Sequence, residues 1–300
     1  MRIRSTTSSC RSRSAIARAG LAVVCSLLWP SIGQAQQDSA SATGPATRAT
    51  TTPAAARPGP NNTGPVRPEL LVQSGSIEST HDGQVIENVD VAGRIAIAHN
   101  DVVVRNFRVT AGSRPPYAIR VARTVRGVVL EDGEVSGGGS AGIRGGGFAA
   151  RRLDVHDAGN DGFKPTGDVV VEDCWIHDLG RPEKAHADGV QIVSGANFVF
   201  RRNNFDMPIG IPGRNSNATF MIGSTEGPVS NLVIEDNWLN GGNYTIYVND
   251  PGRGNGPPSG VRITDNRFGR GFRYGPIRFY RCKVDFLRNY WEDTRWPVGF

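Results

Sequence analysis

Cysteine, helical periodicity and long apolar runs are what this chain lacks. It has four cysteines in 300 residues. Cys10 and Cys25 fall in the first 35, which leaves Cys174 and Cys282, too few for a disulfide framework. The apolar run from about Ala19 to Leu28 is well short of the ~20 residues a spanning helix needs, so no membrane span is expected. Nothing beyond it repeats apolar residues at helical spacing, which argues against a helical fold. Strong charge is lacking too. Residues 1–35 hold five arginines and no acid, which leaves about +1 of the chain's +6 for the remainder. No nucleic-acid partner is expected from so small a balance, and any cationic feature must be local.

The N-terminus that carries this charge reads as a secretory signal peptide over residues 1–35: a basic region, a short apolar core, and a small residue at the cut. Secretion to an extracellular or periplasmic space follows. Residues 36–68 are rich in Ala, Thr, Ser and Pro and read as a disordered linker. Residues 69–300 form one domain.

That domain repeats an apolar-polar motif. Its copies are V102-V-V-R-N-F-R-V109, V128-V-L-E-D-G-E-V135, F148-A-A-R-R-L-D-V155, V169-V-V-E-D-C-W-I176, F198-V-F-R-R-N-N-F205, L232-V-I-E-D-N-W-L239, V261-R-I-T-D-N-R-F268 and V284-D-F-L-R-N-Y-W291. Their fifth positions are 20 to 34 residues apart. Such a period, with β-branched strands and abundant glycine, indicates a solenoid. Leucine-rich repeats lack support because the leucine spacing is absent, and a propeller blade needs a longer unit. The expected fold is all-β, a right-handed parallel β-helix of about eight coils. Equivalent residues then stack at ~4.8 Å. The sixth motif position of the last four coils, Asn203, Asn237, Asn266 and Asn289, predicts an asparagine ladder. Cys174 and Cys282 lie about four coils apart and are expected as free thiols.

A second strand precedes each motif. Aligning these strands puts Ile119, Ile143, Phe163, Val190, Phe220, Ile246 and Ile277 inward. Alternation sends Arg120, Arg144, Lys164, Gln191, Met221, Tyr247 and Arg278 outward. Small residues two positions earlier suggest a groove floor beside that column. A basic and aromatic groove suits an acidic polysaccharide, bound by a monomer. At a neighbouring turn the pairs His156-Asp157 and His177-Asp178 should stack, with His186 in a longer loop nearby. Asp161 stacks with Asp188. Alternation from Lys164 points Asp161 inward, and Asp-Gly is a turn signature, so this pair reads first as structural.

β-Elimination on a uronic acid must neutralise the carboxylate, remove the adjacent proton and release an oxygen. Cations or Ca²⁺ serve the first task, and Lys, His or Tyr the second. Lys164 is the leading base or carboxylate clamp, supported by His177, His186, Tyr247 and Arg278. Arg120, Arg144, His156 and Gln191 are candidate binding residues. Asp157, Asp161, Asp178 and Asp188 are acidic candidates. If Asp161 and Asp188 act as a pair, glycoside hydrolysis with retention is the alternative. The His and Asp set also suits a metal such as Zn²⁺ or Mn²⁺. A glycan-binding adhesin without catalysis is the third reading.

The eight coils resemble the pectate-lyase-like superfamily of right-handed parallel β-helices over residues ~70–300. Lys164 in DGFKPTGDVVVEDC is similar in placement to the lysine of the alginate lyases and chondroitinase B in that superfamily. The resemblance implies a lyase in which a metal ion assists the carboxylate, and Ca²⁺ is the ion expected. HADGVQ, at His186 to Gln191, is weakly similar to a polygalacturonase segment.

Overall fold

The computed structural model describes residues 56–180 and 185–299. The expected signal peptide and most of the expected linker lie outside them. Apart from one short 3₁₀ turn at Pro68–Leu70, every element is a β-strand. The strands pair in parallel throughout, and the isolated bridge from Tyr290 to Pro297 is the antiparallel exception. They form a nine-stranded and a sixteen-stranded sheet. This is an all-β parallel β-helix.

The larger sheet bends into two walls. In the early coils a single long strand spans both, as in Val85–Ala92, Val103–Ala111 and Val128–Gly137. From Phe148 onward it is two strands, the first such pair being Phe148–Arg151 and Asp154–His156. Val128–Gly137 joins the two patterns: Val128 pairs with Phe148, and Glu134 with Asp154. The nine-stranded sheet is the third wall. Side chains from all three fill the interior, with Phe107, Phe163, Phe198, Phe205 and Phe220 fully buried.

The fifth motif position is the corner between the first two walls. Asn106, Asp132, Arg152, Asp173, Arg202, Asp236, Asp265 and Arg288 all have φ between 46° and 61°. Asn and Asp tolerate this left-handed conformation, whereas arginine is an unusual occupant. Its use here has an electrostatic reason. Arg152 reaches Asp132 with Nε to Oδ1 at 2.6 Å and Nη2 to Oδ2 at 2.8 Å. Arg202 holds Asp173 in the same way at 2.8 and 2.9 Å, and Arg288 holds Asp265 at 2.6 and 2.6 Å. Each fork bridges two coils where stacked like charges would repel.

One position on, the asparagine ladder is present. Asn203 donates to Asn237 Oδ1 at 3.0 Å, Asn237 to Asn266 Oδ1 at 2.9 Å, and Asn266 to Asn289 Oδ1 at 2.9 Å. The top of the ladder is Cys174, whose N–H donates to Asn203 Oδ1 at 3.0 Å. Its thiol is fully buried, and burial pushes its pKa up to about 12. Cys174 and Cys282 are both free thiols. Earlier in the same column Gly133 pairs with Phe107, and a Cβ on Gly133 would come within 2.2 Å of the Phe107 ring.

Two expectations need correction. The motif begins one coil earlier than expected, at Gln84 to Val91, with Asn88 at φ 58°. This coil pairs with the next in register, Val85 to Val103 and Val91 to Val109. Asn88 and Asn106 are only 18 residues apart, below the period of the other copies. The second concerns residues 57–67, which are fixed along the solenoid although the linker was expected to reach residue 68. Arg57 pairs with Glu292 at 3.0 Å, and Asn204 donates to the Pro58 carbonyl at 2.8 Å. Gly64 N–H reaches Arg152 O at 3.0 Å, and Arg67 N–H reaches Asn106 Oδ1 at 2.8 Å. Backbone hydrogen bonds hold this strap, so its low apolar content does not reveal it.

Candidate functional site

The nine-stranded sheet runs from Ile77–Glu78 through Ile95–Ile97, Tyr117–Val121, Ala141–Gly145, Asp161–Pro165, Ala187–Ile192, Ser216–Gly223 and Tyr244–Asn249 to Gly275–Tyr280. Its register matches the expected alignment. Arg120 pairs with Arg144, Arg144 with Lys164, Gln191 with Met221, Met221 with Tyr247, and Tyr247 with Arg278. Ala96 and Glu78 extend the column above Arg120.

The small residues beside the column do not form a groove floor. A Cβ on Gly162 would lie 3.0 Å from Ile176, and one on Gly189 would lie 2.7 Å from Phe205. Ala118, Thr219 and Thr245 are fully buried. These positions face the opposite walls and are small because the walls approach closely there. Gly162 and Phe163 therefore both point into the core, and strict alternation breaks between them.

The break corrects the direction expected for Asp161. Its side chain emerges beside Lys164, with Oδ2 and Nζ 2.9 Å apart. Asp161 Oδ1 accepts the Asp188 N–H at 2.9 Å. Asp188 Oδ1 accepts from Asn217 at 2.9 Å, and its Oδ2 accepts from Gln191 at 3.3 Å. Both carboxyl groups are almost completely buried, while the Lys164 side chain is 18% exposed. Burial raises the pKa of Asp161 against the pull of Lys164. Burial, aided by the charge of Asp161, raises that of Asp188 much further. Lys164 is one of only three lysines in a chain with 31 arginines.

Above Lys164 the column opens into a cleft of about 420 Å³. Arg94, Arg120, Arg123 and Arg144 line it, with Tyr117, Thr166 and Glu78. Among the described residues, none of these four guanidinium groups has a carboxylate within 4.0 Å, although Arg144 donates to the Tyr117 hydroxyl at 3.1 Å. Below Lys164 the character turns aromatic. The Arg278 guanidinium lies 5.5 Å from the Tyr244 ring centre and 5.6 Å from that of Tyr247. Tyr274, also against Tyr244, is 65% exposed. Tyr247 is three rungs from Lys164 and Arg278 four, about 14 and 19 Å, so neither shares a reacting centre with it.

The histidines form a separate cluster on another wall. His156 and His177 stack at 5.2 Å, and Trp175 lies against His177 at 3.5 Å. His156 Nδ1 meets Asp157 at 3.1 Å and its Nε2 meets Glu134 at 3.4 Å. His177 Nδ1 meets Asp178 at 2.7 Å and its Nε2 meets Asp154 at 2.9 Å. Arg214 closes the cluster onto Asp157 at 2.9 Å and onto the Asp178 carbonyl. Asp157 and Asp178 are corner residues with φ of 58° and 49°. These corners carry the chain to the nine-stranded wall, so the histidines do not accompany Lys164. His186 is exposed ahead of Ala187–Ile192, and no contact among the described residues joins it to the buried carboxyls.

Among the described residues no group of three or more His, Cys, Asp or Glu is arranged to hold a metal ion. Every ring nitrogen of the histidine pair already faces a carboxylate, and the groove carboxyls are engaged by Lys164, Gln191 and Asn217. The expected Ca²⁺, Zn²⁺ or Mn²⁺ does not fit these residues. The sequence reading missed Arg94, which lies in the overlooked coil, and Arg123, which stands just past its strand. It also missed Asn217, whose partner Asp188 was assigned to a turn. No family model matches the chain, and no curated protein or solved structure matches it.

Proposed function

We propose that the nine-stranded wall binds an acidic polysaccharide lengthwise and that the protein cleaves it by β-elimination beside Lys164. One observation carries this reading. Arg94, Arg120, Arg123 and Arg144 stand unpaired around one cleft, while the corner arginines are forked onto aspartates. Secretion is supported by the basic, then apolar, N-terminus. The coil repeat and parallel register support a place beside the pectate-lyase-like β-helices.

The residues provide for the steps. Arg144, one rung from Lys164, neutralises a uronate carboxylate and so acidifies the adjacent C5–H. Asp161, with Oδ2 2.9 Å from the Lys164 Nζ, holds that side chain in place at the reacting sugar. The amine takes the C5 proton, the C–H electrons form the C4=C5 double bond, and the C4–O bond breaks. The new ammonium returns its proton to the departing oxygen. Tyr247 and Arg278 bind sugars further along the chain.

The test is a panel of uronic-acid polymers, read by the ultraviolet absorbance of the unsaturated product. Lys164→Met should abolish that signal with the circular dichroism spectrum unchanged, and retained turnover would remove Lys164 from the mechanism. Hydrolysis is the second reading, favoured by the Asp161 and Asp188 pair with its raised pKa values. It predicts new reducing ends without the absorbance. Binding without either product would favour an adhesin.

A further inference from the structure

The four-arginine cleft carries more charge than a plain uronan can answer. Its cavity exists because Ala96, a small residue, stands in the outer column between Glu78 and Arg120. Two of the arginines, Arg120 and Arg144, belong to that column and are one rung apart. They follow the direction of a bound chain. The other two stand to its sides. Arg94 immediately precedes the strand Ile95–Ile97, and Arg123 lies just past the strand Tyr117–Val121, so they flank the column at opposite ends of these parallel strands.

The charge count follows from this placement. Four guanidinium groups and Glu78 give the cleft a formal charge of +3. A volume of about 420 Å³ is near the small end of ligand sites and suits a short stretch of glycan. A uronan supplies at most one carboxylate per sugar, placed along the chain. Arg120 and Arg144 suffice for those. Arg94 and Arg123 then face the lateral positions of the sugar ring, where a uronan has only hydroxyl groups. A sulfate ester puts an anion at those positions, and the guanidinium fork matches its oxygens in geometry and charge. Thr166 adds a hydroxyl to the same lining. Glu78, at the far end of the column, repels a further anion and so ends the subsite.

We infer that this cleft is a subsite for a sulfated sugar, and that the polymer acted on is a sulfated uronan. The inference rests on the reading of this wall as an acidic-polysaccharide groove. It assigns Arg94 and Arg123 to the sulfate, and Arg120 and Arg144 to the carboxylates.

The experiment uses one alginate oligosaccharide and the same oligosaccharide after chemical O-sulfation. Binding to the full chain is measured calorimetrically at fixed ionic strength, because electrostatic affinity depends on salt. The sulfated form should bind about tenfold more tightly or better. The double variant Arg94→Gln/Arg123→Gln should weaken binding of both oligosaccharides and erase the preference, bringing their two affinities within about twofold of each other. A double variant with the same charge change elsewhere, Arg253→Gln/Arg262→Gln, should keep it. Equal binding of the two oligosaccharides by the wild type would overturn the inference and leave the groove standing. So would a preference that survives Arg94→Gln/Arg123→Gln, or one lost equally in the control. If neither oligosaccharide binds, the groove reading falls and this inference falls with it.

Discussion

Replacing Asn237 by alanine tests the asparagine ladder at its middle. The Asn237 amide is fully buried and makes four hydrogen bonds. Its Oδ1 accepts from Asn203 N at 2.9 Å and from Asn203 Nδ2 at 3.0 Å. Its Nδ2 donates to Phe200 O at 3.0 Å and to Asn266 Oδ1 at 2.9 Å. Truncation does not orphan all of these partners. Asn203 Nδ2 keeps Val171 O at 2.9 Å, and Asn266 Oδ1 keeps the N–H of residue 237 at 3.0 Å. The Asn203 N–H is left without an acceptor, and Phe200 O loses its side-chain donor. At about 1–3 kcal/mol for each buried group so exposed, plus a small cavity term, the loss is about 3–5 kcal/mol. A domain of this size loses about 2–4 °C of Tm per kcal/mol, so thermal unfolding followed by circular dichroism should shift down by about 6–20 °C. Asn255→Ala is the control. It removes a single bond, from Asn255 to Ser224 O at 2.9 Å on a half-buried loop, and should cost at most a few degrees. An Asn237→Ala shift no larger than that of Asn255→Ala would refute the ladder as a stabilising element.

Gly133→Ala should destabilise by about 1–3 kcal/mol because its Cβ meets the Phe107 ring at 2.2 Å. Phe107→Leu in the same chain should recover part of that loss in a denaturant midpoint, and no recovery would argue against the clash. For His156, burial disfavours the charged ring, but Glu134, Asp154 and Asp157 outweigh it and raise the pKa. That stability is fully present below the ordinary histidine pKa and is lost as pH rises through the higher folded value. The decline in Tm from pH 6 towards 8 should therefore flatten in His156→Gln. Asp188 has a folded pKa well above the usual carboxylate range, caused by burial and then by Asp161. A raised acid costs stability once pH passes its unfolded pKa. Asp188→Asn should thus raise Tm at neutral pH while leaving the acid-side Tm unchanged, and a lower Tm at both would show that the carboxylate is needed in its charged form.

The outer column was legible because a parallel solenoid turns a sequence alignment directly into spatial neighbours. Arg120, Arg144 and Lys164 were placed in register by their inward neighbours Ile119, Ile143 and Phe163 alone. The asparagine ladder and the free thiols followed from the same stacking. What failed did so wherever a local event broke the two-residue period. At Gly162 two successive residues face the core, and that turns Asp161 from a presumed turn anchor into the partner of Lys164. At Asp157 a left-handed corner moves the chain to another wall, so His156 and His177 are near Lys164 in sequence but sit in a network of their own. The strap at residues 57–67 has no apolar signal because its partners are backbone groups, asparagines and the Glu292 carboxylate of the coils it crosses.

Stacking also bears on the proposal that the cationic face binds a polyanion. In a parallel sheet, a residue and its equivalent in the next coil are directly opposite, so repeated charges repel along the whole column. The corner column answers three of its acids by placing Asp132 against Arg152, Asp173 against Arg202 and Asp265 against Arg288, and Asp236 is met by Arg267. Arg108 is likewise set between Asp90 and Glu134. The nine-stranded wall makes the opposite choice. Arg120, Arg144 and Lys164 follow one another in register, and Arg94 and Arg123 add charge beside them. Within this group the acid opposite a cation is Asp161, buried beneath Lys164. The same chain that neutralises its corners leaves this cleft at +3, a cost that a bound polyanion would offset. If that is the reason for the column, added polyanion should raise the Tm of the wild type, and Arg94→Gln/Arg123→Gln should be more stable than the wild type when none is present. A double variant that is less stable without ligand would mean that these arginines serve the fold, and the argument for a binding face would lose its main support.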